Sequence, residues 1–205
     1  MVIEAKKELN NRMLDFVEGR ITVYKFWEEY IENKNYRLLI YKKRKHMNFW
    51  NLEKFIEDFQ NVSLTTLYGR VRIFWLIRRY LEICKIKFNP YNSDEERLNF
   101  LTNLCPYWID IFDCEWFERV LGIENMSIKD IDNVDILKQK IKNLFQYEKY
   151  PPKWLQGADW PIVNDVPAFF VKQSSNPDHP FWEEQPIDYF FKDSEGNEII
   201  VNQLP

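Results

Sequence analysis

After Tyr150 the sequence changes period, and that change limits the chain to a fold with two kinds of element. Before it, apolar residues recur every three or four positions, the spacing that places them on one face of a helix. After it come prolines, tryptophans and short alternating runs bounded by turn residues, the pattern of strands. The first helix is expected from Ile3 to Val17 with Gly19 ending it, and Thr22 is placed to cap the next, which carries Phe26, Trp27, Tyr30 and Ile31. Further helices are expected over Tyr36–His46, over Phe49–Phe59, and from Leu64 to Ile86 behind Ser63 as cap. Asn89-Pro90 breaks the pattern, and Ser93 with Glu96 reads as a capping box. Pro106 is expected to open a helix that Gly122 ends, and Ser127 with Asp130 to start the last, through Phe145. Ala168–Gln173 and Ile187–Phe191 read as strands, with a turn at Ser194–Asn197 and a return strand from Glu198 to Val201.

The expected fold is mostly α: a bundle of about seven or eight helices (residues 1–149) with a small C-terminal β-hairpin or three-stranded sheet (150–205) packed on it. A lone hairpin is marginal, so the tail is expected to rest its aromatics on helices and not to fold by itself. Thirty-five Phe, Tyr and Trp in 205 residues supply that packing and leave some rings for interfaces.

Charge is distributed unevenly. Residues 151–205 hold three Lys against nine Asp and Glu, a net −6, whereas residues 1–150 carry +2. An acidic end suits a basic partner. The acidic and aromatic candidates for partner contact are Asp178, Trp182, Glu183, Glu184, Asp188, Asp193 and Glu195.

Catalytic signatures are missing from the sequence. It has no glycine-rich nucleotide loop, no nucleophile elbow and no His-Glu-x-x-His. His46 ends a basic run, Lys42-Lys43-Arg44-Lys45, whose bland reading is a solvated helix end and whose functional reading is phosphate binding. His179 lies in Asp178-His179-Pro180-Phe181-Trp182-Glu183-Glu184, which could supply an acid and base pair or oxygen ligands for a divalent metal. An acidic loop anchored by Phe181 and Trp182 is preferred, because no second histidine completes a ligand set. Cys84, Cys105 and Cys114 lack zinc-knuckle spacing and read as reduced, buried thiols. Asp110/Asp113 and Asp130/Asp132/Asp135 read as helix-terminal charges. No cofactor is expected. No signal peptide or membrane span is evident, so a cytoplasmic protein is expected, bound to neither nucleic acid nor membrane.

Two stretches carry a resemblance. Phe16-Val17-Glu18-Gly19-Arg20-Ile21-Thr22-Val23-Tyr24-Lys25-Phe26-Trp27 resembles the start of several bacterial immunity proteins. Pro152-Lys153-Trp154-Leu155-Gln156, continuing to Trp160-Pro161 and the strand that ends in Gln173-Ser174, is similar to a tail from the same group; together they span about a fifth of the chain. Immunity proteins are encoded beside polymorphic or contact-dependent growth-inhibition toxins. The resemblance implies a non-catalytic cytoplasmic inhibitor of one cognate toxin C-terminal domain, and it leaves the architecture open because the group has many folds. Two other readings stay open: a helical scaffold that binds another partner through Lys42–Lys45, and a metal-dependent hydrolase built on Asp178, Glu183 and Glu184.

Overall fold

The computed structural model describes residues 2–47, 61–111, 113–175 and 186–204, the side chains of 2–5 and 44 excepted. Among them are seven α-helices: α1 Val2–Val17, α2 Val23–Glu32, α3 Lys34–Lys43, α4 Leu67–Ile83, α5 Ser93–Leu104, α6 Cys114–Leu121 and α7 Val134–Leu144. Five short strands follow: β1 Ile162–Val163, β2 Val166–Pro167, β3 Phe169–Ser175, β4 Ile187–Lys192 and β5 Glu198–Gln203. The protein is mostly α with a small sheet, as its periodicities require. The helix expected over Phe49–Phe59 lies outside the described residues.

The chain forms two compact units, Met1–Leu98 and Asn99–Pro205. In the first, α4 packs against α1, α2 and α3. Its core is aromatic: the Phe16 and Phe26 rings stack at 4.6 Å, and Phe74 meets Phe16 edge-on at 6.2 Å. Arg12 grips Glu29 with two hydrogen bonds, the Nε to Oε2 one 2.7 Å long, and so ties α1 to α2. Gly19 and Gly122, with φ of 73° and 75°, supply the left-handed residue that stops α1 and α6.

Several helix starts fall beside the residue the sequence suggests. Thr66, not Ser63, caps α4, its Oγ1 accepting from Gly69 N at 3.1 Å. Ser63 is held in the preceding turn, where its Oγ accepts from Thr65 N. Asn92, not Ser93, caps α5, with Oδ1 accepting from Glu95 N at 2.7 Å. Helix α6 starts at Asp113, whose Oδ1 accepts from Trp116 N at 2.8 Å, and not at Pro106. Ser127 begins only a 3-10 turn, Ile128–Asp130, and α7 follows as a separate helix. For α4, α5 and α6 a short polar side chain within seven residues of the expected position caps a free amide, whereas Asn133 before α7 makes no side-chain cap bond.

In the second unit β3, β4 and β5 form an antiparallel sheet in that order, with a bulge between Phe170 and Lys172. Strands β1 and β2 form a separate two-residue hairpin. Asn164 and Asp165, at φ 50° and 64°, make its turn, since such a tight loop needs positive φ at both central positions. Residue 150 falls inside this unit, and helices and strands on both sides of it share one core. Trp160 stands in that core 5.3 Å from Phe145 of the α7 terminus and 5.4 Å from Phe191 of β4.

Candidate protein-binding surface

Strand alternation divides the three-stranded sheet into two faces. Phe170, Tyr189, Phe191 and Gln203 point into the core and are buried. The opposite face presents Phe169, Phe190 and Ile200, with Phe169 37% and Ile200 54% exposed. Phe190 is paired across the sheet with Lys172 on one side and Ile200 on the other. The Lys172 ammonium lies 4.9 Å above the Phe190 ring. Around these apolar side chains stand Asp188, Glu198, Asn202 and Lys192.

Asp188 belongs to this outward face, where its Oδ1 accepts from Asn202 Nδ2 of β5 at 2.6 Å. Asp193 has a structural task in the β4–β5 turn. Its carboxylate accepts from Glu195 N at 2.9 Å, Asn197 N at 2.8 Å and Asn197 Nδ2 at 2.9 Å. The Asn197 side chain, followed by those backbone amides, holds the carboxyl below the ordinary Asp range. Glu195 is exposed at the tip of the turn. Asp188, near the start of β4, and Asp193, in the turn that follows it, are five residues and about 17 Å apart, so the described candidates spread along a hairpin and form no tight cluster. Asp178, Trp182, Glu183 and Glu184, and His179 with them, lie outside the described residues.

The tryptophans of the 152–161 segment are structural. Trp160 is buried, and its Nε1 donates to Ala168 O at 2.7 Å. Trp154 is half-buried, donates from Nε1 to Trp108 O at 3.0 Å, and packs 4.5 Å from the Tyr189 ring. Their indole N–H groups find partners as the rings enter the core, the usual condition for burying Trp. The segment is held from beneath by Tyr189 and Gln203. Neither stood out in the sequence, although both sit at inward positions of period-two strands.

Chemistry-bearing groups elsewhere are committed to the fold. Burial first, then nearby carboxylates, pushes the Cys105 and Cys114 thiols up to about 12, far from a nucleophile's range. Asp110 Oδ2 accepts from Ala158 N at 2.8 Å, and Asp113 caps α6. Among the described residues no group of three or more His, Cys, Asp or Glu is placed to hold a metal ion. No helix among them is long and apolar enough to cross a membrane.

The division between units also divides charge. Residues 1–98 carry 19 basic and 14 acidic side chains, a net +5, whereas residues 99–205 carry 9 and 18, a net −9. The second unit's electrostatic field therefore favours positively charged partners over the surface that the sheet occupies. Compared with protein-family models, with curated proteins and with solved structures, the chain matches none.

Proposed function

We propose that this protein is an immunity-type inhibitor that binds a basic toxin domain through its acidic C-terminal unit. The observation that carries the reading is the pairing of a net −9 unit with an outward apolar sheet face, where Phe169 and Ile200 are exposed and Phe190 is half-buried between them. Apolar side chains at the centre of a patch supply anchors, and charge around it steers association and rejects acidic competitors. Asp188 and Glu198 flank those anchors in register, Asp188 two places before Phe190 in β4 and Glu198 two before Ile200 in β5. Asp178, Trp182, Glu183 and Glu184 precede β4 in sequence and extend the same acidic run. Asp193 and Glu195 continue it at the far end. On this reading the protein does no chemistry, works in the cytoplasm, and occludes the toxin's active site or substrate groove.

The test is a calorimetric titration of the purified protein with the C-terminal domain of the protein encoded immediately upstream, at two salt concentrations. One-to-one binding that weakens as salt rises supports the reading. Charge reversal at Glu183, Glu184 and Asp188 together should then slow association. An absence of binding sinks the inhibitor reading, and unchanged binding by the reversed variant removes the acidic run from the interface.

A further inference from the structure

Within the acidic unit lies a basic cleft that shares only Lys172 with the outward sheet face. Residues 146–148 run parallel to β3, where Phe170 N donates to Gln146 O and Glu148 N donates to Phe170 O, both at 2.9 Å. The chain then leaves the strand and drops beneath the sheet. It is caught again at Lys153, whose N–H donates to Gln173 Oε1 at 2.7 Å. Between these two anchor points opens a cleft of about 470 Å³, lined by Lys149, Tyr150, Lys153, Phe170, Lys172 and Gln173 among others. Tyr150 is 76% exposed there. None of the three lysines forms an ion pair among the described residues.

The cleft opens on a strand edge with hydrogen-bonding groups to spare. Both main-chain groups of Phe170 face residues 146–148, so the Phe170–Phe191 pair turns its polar groups away from the β3–β4 seam. Past the bulge, Gln173 pairs with Tyr189, two residues before Phe191 in β4. Alternation along β4 therefore points the main-chain N–H and C=O of Gln173 toward the same outer edge, beyond the point where residues 146–148 depart. Lysines along an edge guard a sheet against pairing with other sheets. Three of them around an open cleft also discriminate: they reject a basic strand and attract an acidic one.

We propose that this cleft binds an extended acidic peptide segment of a protein partner, added as a strand to the outer edge of β3 at Gln173. The main chain of the peptide pairs with Gln173, its carboxylates meet Lys149, Lys153 and Lys172, and Tyr150 covers an apolar side chain between them. A net −9 unit repels a long polyanion, so a short acidic segment suits the cleft better than a nucleic acid. The site goes beyond the inhibitor reading and takes a ligand of opposite charge.

The full-length protein is titrated with a labelled peptide of about eight alternating Glu and Val residues, and with its Lys-for-Glu counterpart, by fluorescence anisotropy. The acidic peptide binds, the basic one does not, and Lys149→Glu with Lys153→Glu weakens binding by about tenfold or more. Gln173→Pro removes the edge N–H while leaving β3–β4 pairing intact, and it abolishes binding. Gln173→Ala, which keeps that N–H but loses the clamp on Lys153, binds within about threefold of the parent. Circular dichroism of each variant checks the fold, and shifts of the Lys172 and Gln173 amide resonances in the unsubstituted protein locate the peptide. Equal binding of both peptides, or of neither, overturns the proposal. Full binding by Gln173→Pro, or displacement of the peptide by inorganic phosphate, overturns strand addition and leaves a small-anion site. None of these substitutions touches the outward sheet face, so the toxin domain still binds each variant, with association faster for the Lys-to-Glu pair because the unit becomes more acidic, and the two readings fail separately.

Discussion

Gln203 and Leu155 are 48 residues apart in sequence and joined at 3.0 Å, Gln203 Oε1 accepting from Leu155 N. The same oxygen accepts from Gln156 N at 3.0 Å, and Gln203 Nε2 donates to Gly157 O at 2.9 Å. A single buried amide at the end of β5 thus satisfies three main-chain groups of an irregular segment. That segment has no ladder of its own to pair with, and buried main-chain groups need partners.

Gln203→Ala strips Gln156 N and Gly157 O of this partner, leaves Leu155 N with Tyr189 alone, and lowers stability by about 2–3 kcal/mol, measured by urea unfolding. Tyr189→Phe costs less, about 1 kcal/mol. It removes one hydroxyl, which donates to Lys153 O at 3.0 Å and accepts from Leu155 N at 2.7 Å. Because Leu155 N is shared between the two side chains, the double variant is not the sum of the singles.

The helical and strand halves were legible because burial imposes period on sequence. Phe26, Trp27 and Tyr30 are buried at the expected spacing of α2, while Ile31, expected beside them, is exposed; Phe170, Tyr189 and Phe191 are buried on the inward face of the sheet. Helix starts were less so, since Ser63, Thr65 and Thr66 all have a side chain able to cap and tertiary contacts decide which one does. The clamp by Gln203 was hidden because its partners lie 46 to 48 residues away and the contact has no sequence period. The acidic surface could be read only as composition. Asp188, paired with Asn202, and Asp193, tied into a turn, look alike in sequence and differ in task.

Gly69 is required by a close approach. A Cβ there would stand 1.8 Å from Ser63 O. In an open helix Gly→Ala stabilises by about 1 kcal/mol, but here the turn carrying Ser63 must move. Gly69→Ala is therefore expected to destabilise by about 1–3 kcal/mol in thermal or urea unfolding. Thr66→Ala, which removes the cap to Gly69 N and the hydroxyl's bond to Ser63 O, costs about 1–2 kcal/mol. A neutral Gly69→Ala would show that the turn relaxes freely.

The turn between β4 and β5 should loosen in acid. Asp193 has a depressed pKa in the folded protein, mainly through Asn197, so its contribution is present above the unfolded Asp value, about 3.9, and is lost as pH falls through the folded one. Amide resonances of Glu195 and Asn197 followed from neutral pH into acid should move together, with a midpoint below that of an exposed Asp. Asp193→Asn should abolish this titration while keeping the hairpin, because an amide oxygen still accepts from the turn.

Cys105 and Cys114 should be silent toward thiol reagents in the native protein. With pKa values near 12, roughly one thiol in 10,000 is ionised at pH 8. Alkylation by iodoacetamide at that pH, read by mass spectrometry, should leave both unmodified until denaturant is added. Rapid native labelling of either would mean that its surroundings open on the timescale of the reaction.

The outward sheet face should separate association from dissociation. If toxin binding uses it, Phe190→Ala and Ile200→Ala remove apolar anchors that act after encounter, so they raise the dissociation rate by about tenfold and leave association nearly unchanged. Asp188→Lys changes the field felt before contact, so it mainly slows association, and the effect shrinks as salt screens it. The two classes are told apart by surface plasmon resonance at low and high salt. Phe190 also carries the Lys172 ammonium over its ring, so Lys172→Met serves as a control that keeps the packing and removes the charge. An unchanged dissociation rate in both apolar variants would take the interface off this face and leave the acidic residues that precede β4 as its site.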